Sequence, residues 1–300
     1  MAGLEFERPF VKFFLVMGFI CFNLTIIKAE ETKTIKCGQR NPQGIPTAAA
    51  STPSIGESKF GEFPWTIDIA NEGRVFCVGS LIHPRVVLTA GQCVALPEDI
   101  PNLKLRAGLW DRESNPEHYP YQERSIEKII LHDDLGRSRR RRRNDIALVI
   151  VNAPFVLADH IKTVCLPPAN YVAPNGTTCY ATGWGKQSLR GDHSQRMKLV
   201  PLTRIEDGIC EREMEIQLHS SVMCAVGQNG SDTCSGDSGG PLVSRINADQ
   251  EVYHQIGITS FGISCFDGSP GGYTNVGHLR EWIDEQMKEN DLETSTYIHE

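Results

Sequence analysis

From Gly61 onward the chain is built of short apolar runs, each closed off by glycine, proline, asparagine or aspartate: Val75–Ile82, Val86–Thr89, Ile126–Leu131, Ile146–Val151, Cys179–Thr182 and Tyr253–Phe261. Runs this short, with turn-forming residues between them, suit extended strands better than buried helices. No long amphipathic stripe separates them, so a parallel sheet wrapped by helices is excluded and an all-β sandwich or barrel is expected. One helix is predicted near the end, where Leu279, Trp282, Ile283 and Met287 repeat along a single face. No internal repeat is visible.

The amino end sets the compartment. Residues 13–27 form one apolar run behind Arg8 and Lys12. The run is short for a membrane span and matches the apolar core of a secretory signal, with Ala29 as the cleavage point. An uncleaved signal anchor is the alternative. No later segment is long and apolar enough to span a membrane, so the chain is expected to be secreted, with no membrane contact once residues 1–29 are removed. Ten cysteines fit that oxidising destination. They show no CxxC pair and no Cys/His cluster at ligand spacing, so no metal and no cofactor is expected. Cys21 lies in the leader, which leaves an odd number and hence a free thiol or an intermolecular bridge. A formal net charge of −7 argues against a general nucleic-acid binder.

The segment with most chemical content is Gly236-Asp237-Ser238-Gly239-Gly240-Pro241-Leu242. Glycines on both sides of a serine let the backbone turn tightly and approach a substrate. They also let the N–H groups of Gly236 and Ser238 point at a developing oxyanion. GEFPW at 61–65, TAGQC at 89–93, NDIAL at 144–148 and TGWG at 182–185 precede it in order. With these motifs the chain resembles the trypsin/chymotrypsin-like serine proteases over about residues 55–290. The resemblance implies two six-stranded antiparallel β-barrels packed face to face, with a C-terminal helix. It divides the chain into a signal peptide (1–29), an extended lead segment (30–54), the protease-like domain (55–290) and a polar tail (291–300).

The resemblance also implies a catalytic triad. Ser238 matches the nucleophile and Asp145 the orienting acid, but Gln92 stands where the family carries its histidine. A serine hydroxyl is a weak nucleophile until a neighbour takes its proton. Imidazole does this near neutral pH, whereas a glutamine amide neither holds that proton nor returns it to a leaving amine. In a protease of another fold, losing the histidine alone costs on the order of 10⁶ in turnover. A pseudoenzyme is therefore expected, the alternative being an active trypsin-like endopeptidase that cleaves after Arg or Lys with a non-standard base. Active members of the family also begin, after cleavage, with an IVGG-like end whose ammonium pairs with the aspartate beside the nucleophile. Thr52–Glu57 lacks that sequence, so Asp237 is expected to have no such partner and the oxyanion hole to stay unformed.

Asp232 matches the base of a pocket for basic side chains, with Gly262 and Gly271 as its walls. The pocket either still holds a basic side chain or is a remnant. Family pairing implies disulfides Cys77–Cys93, Cys210–Cys224, Cys234–Cys265 and Cys37–Cys165. It leaves Cys179 unpaired because Ser244 stands where its partner would be; Cys179 is then either buried and inert or linked to another chain.

Cys37-Gly38-Gln39-Arg40-Asn41-Pro42-Gln43-Gly44 followed by GEFPW is similar to the arthropod non-catalytic serine protease homologues. That likeness implies a regulatory or adaptor role in innate immunity, in cascades of the melanization type. The implied partners are proteases, prophenoloxidase-like proteins or inhibitors. Many such homologues follow a clip domain, for which the stretch between the signal and Cys37 is too short. Arg137, Arg139, Arg140, Arg141, Arg142 and Arg143 form a basic loop just ahead of Asp145. Charge this dense predicts an exposed loop that is simply solvated, binds acidic glycans or proteins, or is cut at its dibasic pairs. Asn175 and Asn229 open N-glycosylation sequons.

Overall fold

The computed structural model describes residues 36–46, 52–96, 100–113, 119–136 and 142–299. Within them twelve strands close into two antiparallel barrels. The first holds β1 (Thr66–Asn71), β2 (Arg74–His83), β3 (Val86–Thr89), β4 (Leu103–Ala107), β5 (Gln122–Leu131) and β6 (Ala147–Val151), in the order β1-β2-β3-β6-β5-β4. The second holds β7 (Thr178–Gly183), β8 (Lys198–Ile205), β9 (Val222–Gly227), β10 (Pro241–Arg245), β11 (Tyr253–Gly262) and β12 (Gly271–Asn275). Its order, β7-β8-β9-β12-β11-β10, repeats that of the first. The repeat is one of topology and not of residues. Closure leaves no unpaired sheet edge in either half.

The six apolar runs became β2, β3, β5, β6, β7 and β11. The other strands lacked a continuous apolar signal for physical reasons. β8 alternates buried and half-buried positions and carries Pro201, β4 is short, and β12 opens with two glycines. Helix α1 (Asp207–Met214) follows β8, and α2 (Arg280–Glu289) buries Ile283 and Met287 on the predicted stripe.

The buried apolar residues form one large cluster and two smaller ones. Trp65, Ile67, Ile69, Leu81 and Leu88 fill the first barrel, Leu202, Leu242 and Tyr273 the second, each with less than 2% of its surface exposed. Each such side chain contributes about 2 kcal/mol by leaving water. The barrels are joined by polar contacts as well. Thr66 Oγ1 lies 2.7 Å from Thr182 Oγ1, and the Val78 N–H donates to the Ser238 carbonyl at 2.8 Å.

The four implied disulfides are present: Cys37–Cys165, Cys77–Cys93, Cys210–Cys224 and Cys234–Cys265. Cys179 is a free, buried thiol, opposite Ser244 in the β7–β10 ladder, and burial pushes its pKa up to about 12. A thiol that is buried and protonated is inert toward other chains. Cys37 anchors the lead segment, where the Arg40 guanidinium bonds Glu62 and faces the rings of Phe63, Tyr180 and Tyr253. Residues beyond 290 are not a free polar tail. Tyr297 is fully buried, its hydroxyl donates to Asp284 at 2.8 Å, and the Leu166 N–H donates to its carbonyl at 2.9 Å. Thr296 ties the segment to Thr163 and Ile82 as well.

His254, in β11, is buried edge-on against Tyr171 with Nε2 unpartnered. Burial lowers its pKa to about 4, and the nearby His299 acts in the same direction. An unfolded histidine titrates near 6.5, so the unfolded chain binds the extra proton between pH ~6.5 and ~4. This residue's share of stability is therefore complete above pH ~6.5 and falls as the pH drops toward ~4, by on the order of 3 kcal/mol. Thermal melts of wild type and His254→Phe at pH 7.5 and 4.5 check this: the variant is expected to lose less on acidification, and parallel losses would refute the assignment.

Candidate functional site

The motif residues meet in the cleft between the barrels. Gln92 sits in a 3₁₀ turn (Gly91–Cys93) directly after β3, tied to β2 by Cys77–Cys93. Asp145 lies just ahead of β6, and its carbonyl accepts the Thr274 hydroxyl of the second barrel at 2.8 Å. Ser238 lies on the loop entering β10. Gly239 has φ +81°, and a Cβ there would lie 2.2 Å from Thr89 Oγ1 and 2.3 Å from the Val78 carbonyl. Only glycine lets this loop press against β2 and β3.

Gln92 faces Asp145 and not Ser238. Its Nε2 donates to Asp145 Oδ2 at 2.9 Å and to the Ser260 carbonyl at 2.6 Å, and its N–H donates to Asp145 Oδ1 at 2.9 Å. Its Oε1 accepts Arg142 Nη1 at 2.8 Å. Both ends of the amide are thus occupied. Among the described residues no imidazole hydrogen-bonds Ser238; His193 packs on Gly236. Asp145 is buried, and its Oδ2 also accepts the Ser260 hydroxyl at 2.5 Å and lies 3.4 Å from Arg142 Nη1.

Arg142 corrects the expectation of a wholly solvated arginine loop. Its side chain is 15% exposed and lies over the Phe261 ring at 5.7 Å. A buried carboxylate without an imidazolium beside it draws in the nearest guanidinium. Arg143 pairs with Asp134 at the surface. Arg137, Arg139, Arg140 and Arg141 lie outside the described residues.

Asp237 is paired within the chain, by a lysine and not by the chain-end ammonium of the active family members. Lys198 Nζ lies 2.6 Å from Asp237 Oδ2, and both side chains are buried. The backbone beside it is set for donation. The Ser235 carbonyl accepts the Lys186 N–H at 2.9 Å. A trans peptide places its C=O and N–H on opposite sides, so the Gly236 N–H turns away from that contact. Neither it nor the Ser238 N–H makes a backbone hydrogen bond among the described residues. Both donors adjoin Ser238.

Asp232 lies in a cavity of about 180 Å³ that also takes in Ser238, Phe261, Gly262 and Gly271. Its carboxylate accepts the Phe266 N–H at 3.0 Å, and no cation pairs with it among the described residues. Burial raises its pKa, opposed by the backbone donors of Phe266 and Thr233. A cation entering the cavity would reverse that cost. Asn175 and Asn229 are exposed, and Asn229 borders a neighbouring cavity that reaches Asp232 and Lys198.

Lys198 and Ser260 were missed as site residues, and Arg142 was read only as part of the basic loop. Lys198 reads as one more polar residue opening an alternating strand, Arg142 as one of six like charges, and Ser260 as part of an apolar run. No local signal distinguishes them, because their importance comes from residues 39, 50 and 115 positions away.

Comparison with known proteins agrees with this geometry. The trypsin family model matches residues 54–283. Phenoloxidase-activating factor 2 of Galleria mellonella is 38% identical, over 90% of this chain and 95% of its own. The inactive CLIP domain-containing serine protease A8 of Anopheles gambiae is 32% identical, over 91% of this chain and 78% of its own. Among solved structures, human heparin binding protein aligns with a TM-score of 0.65 at 27% identity, over 76% of this chain and 93% of that one. The chain belongs to the trypsin family of serine proteases and their homologues. Its curated relatives include insect phenoloxidase-activating factors and CLIP-domain members named inactive.

Gln92→His alone is expected to remain a poor peptidase, since the Arg142 guanidinium beside Asp145 opposes charging of the new imidazole. Adding Arg142→Ala is expected to raise kcat/KM on an arginyl amide by about a hundredfold or more. Equal rates for the single and double variants would remove Arg142 from this account.

Proposed function

We propose that this chain is a secreted, non-catalytic regulator of extracellular protease cascades in insect immunity. In this reading it engages proteases, prophenoloxidase-like proteins or inhibitors through the surface around its cleft. The observation that carries the reading is the bonding of Gln92: its amide is committed to Asp145, Ser260 and Arg142. Among the described residues no histidine side chain hydrogen-bonds Ser238, which supports a serine without a proton acceptor. The apolar leader and four disulfides support secretion. The names of the curated relatives support a place in phenoloxidase activation and an inactive site. The open carboxylate of Asp232 supports a cleft that holds an arginine or lysine side chain without cutting beside it.

Reconstitution in haemolymph tests this. Wild-type protein and Ser238→Ala are expected to change phenoloxidase activation equally, and a fluorophosphonate probe is expected to leave Ser238 unlabelled. Loss of the effect in Ser238→Ala, with rapid labelling of the wild type, would establish the alternative of an active trypsin-like endopeptidase.

Binding of acidic glycans through the arginine loop is a second reading, favoured by the six clustered arginines and by the likeness to heparin binding protein. Retention on a heparin column is expected to fall when Arg137 and Arg139–Arg141 become alanine; passage of the wild type unretained would dismiss it.

A further inference from the structure

We propose that the N-linked glycan of Asn229 is a built-in ligand of this fold: its first N-acetylglucosamine packs into the cavity beside Asn229 and braces the turn at residues 54–57. The inference rests on the reading of the chain as secreted, because a sequon meets its transferase only in the secretory pathway. It does not depend on whether Ser238 is active. Attachment joins Asn229 Nδ2 to the anomeric carbon of the sugar as the bond from that carbon to a lipid-linked diphosphate breaks, and the amide gives up a proton.

The sequon Asn229-Gly230-Ser231 lies in the turn that leaves β9. Asn229 has φ +52° and Gly230 φ +76°, the two left-handed residues that a I′-type reversal requires. The turn is pinned on both flanks. The Ser231 N–H donates to the Gln228 carbonyl at 3.0 Å, and the Ser231 hydroxyl donates to the Pro201 carbonyl at 2.9 Å. Gln228 Nε2 donates to the Leu202 carbonyl at 3.1 Å and to Thr203 Oγ1 at 2.9 Å. Pro201, Leu202 and Thr203 belong to β8, the strand whose Leu199 and Val200 line the cavity. Asn229 itself is exposed. A sugar on its amide therefore starts from a fixed point beside the cavity, which lowers the entropy lost on packing.

The cavity has a volume of about 470 Å³, and the three sequon residues line it together with Ile55, Leu199 and Phe266. Ile55 carries the greatest exposure of any large apolar side chain among the described residues. Its turn meets β8 along one edge, where the Leu199 N–H donates to the Gly56 carbonyl at 2.9 Å. An N-acetylglucosamine offers a C–H face and an acetyl methyl to Ile55, Leu199 and Phe266, and hydroxyls to Glu57 and Gln187 of the same cavity. A second cavity, of about 600 Å³, shares Glu57 and Gln187 with the first and is lined by Asp192, His193, Gln195 and Arg196. Charged and amide groups bond sugar hydroxyls, so the outer sugars have a polar bed to lie on. Contacts of this kind are too weak to hold a free sugar. A short covalent tether supplies an effective concentration in the millimolar range, which turns a weak contact into an occupied one. Asn175 is placed differently, with its amide donating to Glu206 Oε1 at 3.4 Å on the surface, and serves as the control.

The test uses the full chain, secreted from cells restricted to oligomannose glycans. Mass spectrometry of the medium is expected to find Asn229 glycosylated. Asn229→Asp keeps a residue that tolerates positive φ. It is expected to lower the melting temperature by about 3 °C or more, and Asn175→Asp to change it by less than about 1 °C. Endoglycosidase H leaves one N-acetylglucosamine in place and is expected to keep the wild type within about 1 °C of its untreated value. Ile55→Ser is expected to cost about 2 °C with the glycan present and almost nothing in Asn229→Asp, a coupling that a general effect of glycosylation does not produce. Amide exchange at 54–57 is expected to rise in Asn229→Asp and not in Asn175→Asp. If Asn229→Asp is not recovered, peptide N-glycosidase acting on the folded wild type removes the glycan and takes its place in the comparison. Equal effects of the two asparagine changes, or an Ile55→Ser cost that ignores the glycan, would overturn the packed sugar. A secreted chain with Asn229 bare would overturn it too, while leaving secretion standing. A chain that never reaches the medium would overturn the secreted reading and this inference with it.

Discussion

Two carboxylates lie buried where the barrels meet, and neither can stay there uncompensated. Asp145 is held by the Gln92 amide, the Ser260 hydroxyl and the Arg142 guanidinium. Asp237 is held by two backbone N–H groups and the Lys198 ammonium. The glycines of TGWG, the short turn after β3 and the loop entering β10 are all arranged around these two charges. Asp145, beside the first barrel, is tied across the cleft to Ser260 of the second, whereas the partners of Asp237 all belong to the second barrel.

The two solutions have opposite consequences. At Asp145 the compensation replaces chemistry: an amide and a fixed cation stand where a group that gains and loses a proton would be needed. At Asp237 a lysine from within the chain pairs with the carboxylate in the turn before Ser238. A cleft of protease shape thus carries an amide where the family carries its histidine, and the curated relatives include members named inactive.

Much of this was legible from residues alone. The apolar runs gave half of the strands, and the ordered motifs placed Gln92, Asp145, Ser238 and Asp232 in one family framework. The four disulfides followed from that framework. Strands β8 and β12 were not legible, because proline and glycine interrupted the apolar signal while hydrogen bonds from both neighbours held the backbone extended. Tyr297 was hidden by the polarity of the residues around it.

The sequence by itself determined that an amide stands in place of an imidazole, since that is a matter of which atoms are present at position 92. Only the tertiary structure decided what compensates the charges left behind. Arg142 and Lys198 are ordinary basic residues in their local context. Lys198 became decisive because barrel closure brings it within hydrogen-bond reach of the buried Asp237, and Arg142 because the fold brings Gln92 against it beside the buried Asp145.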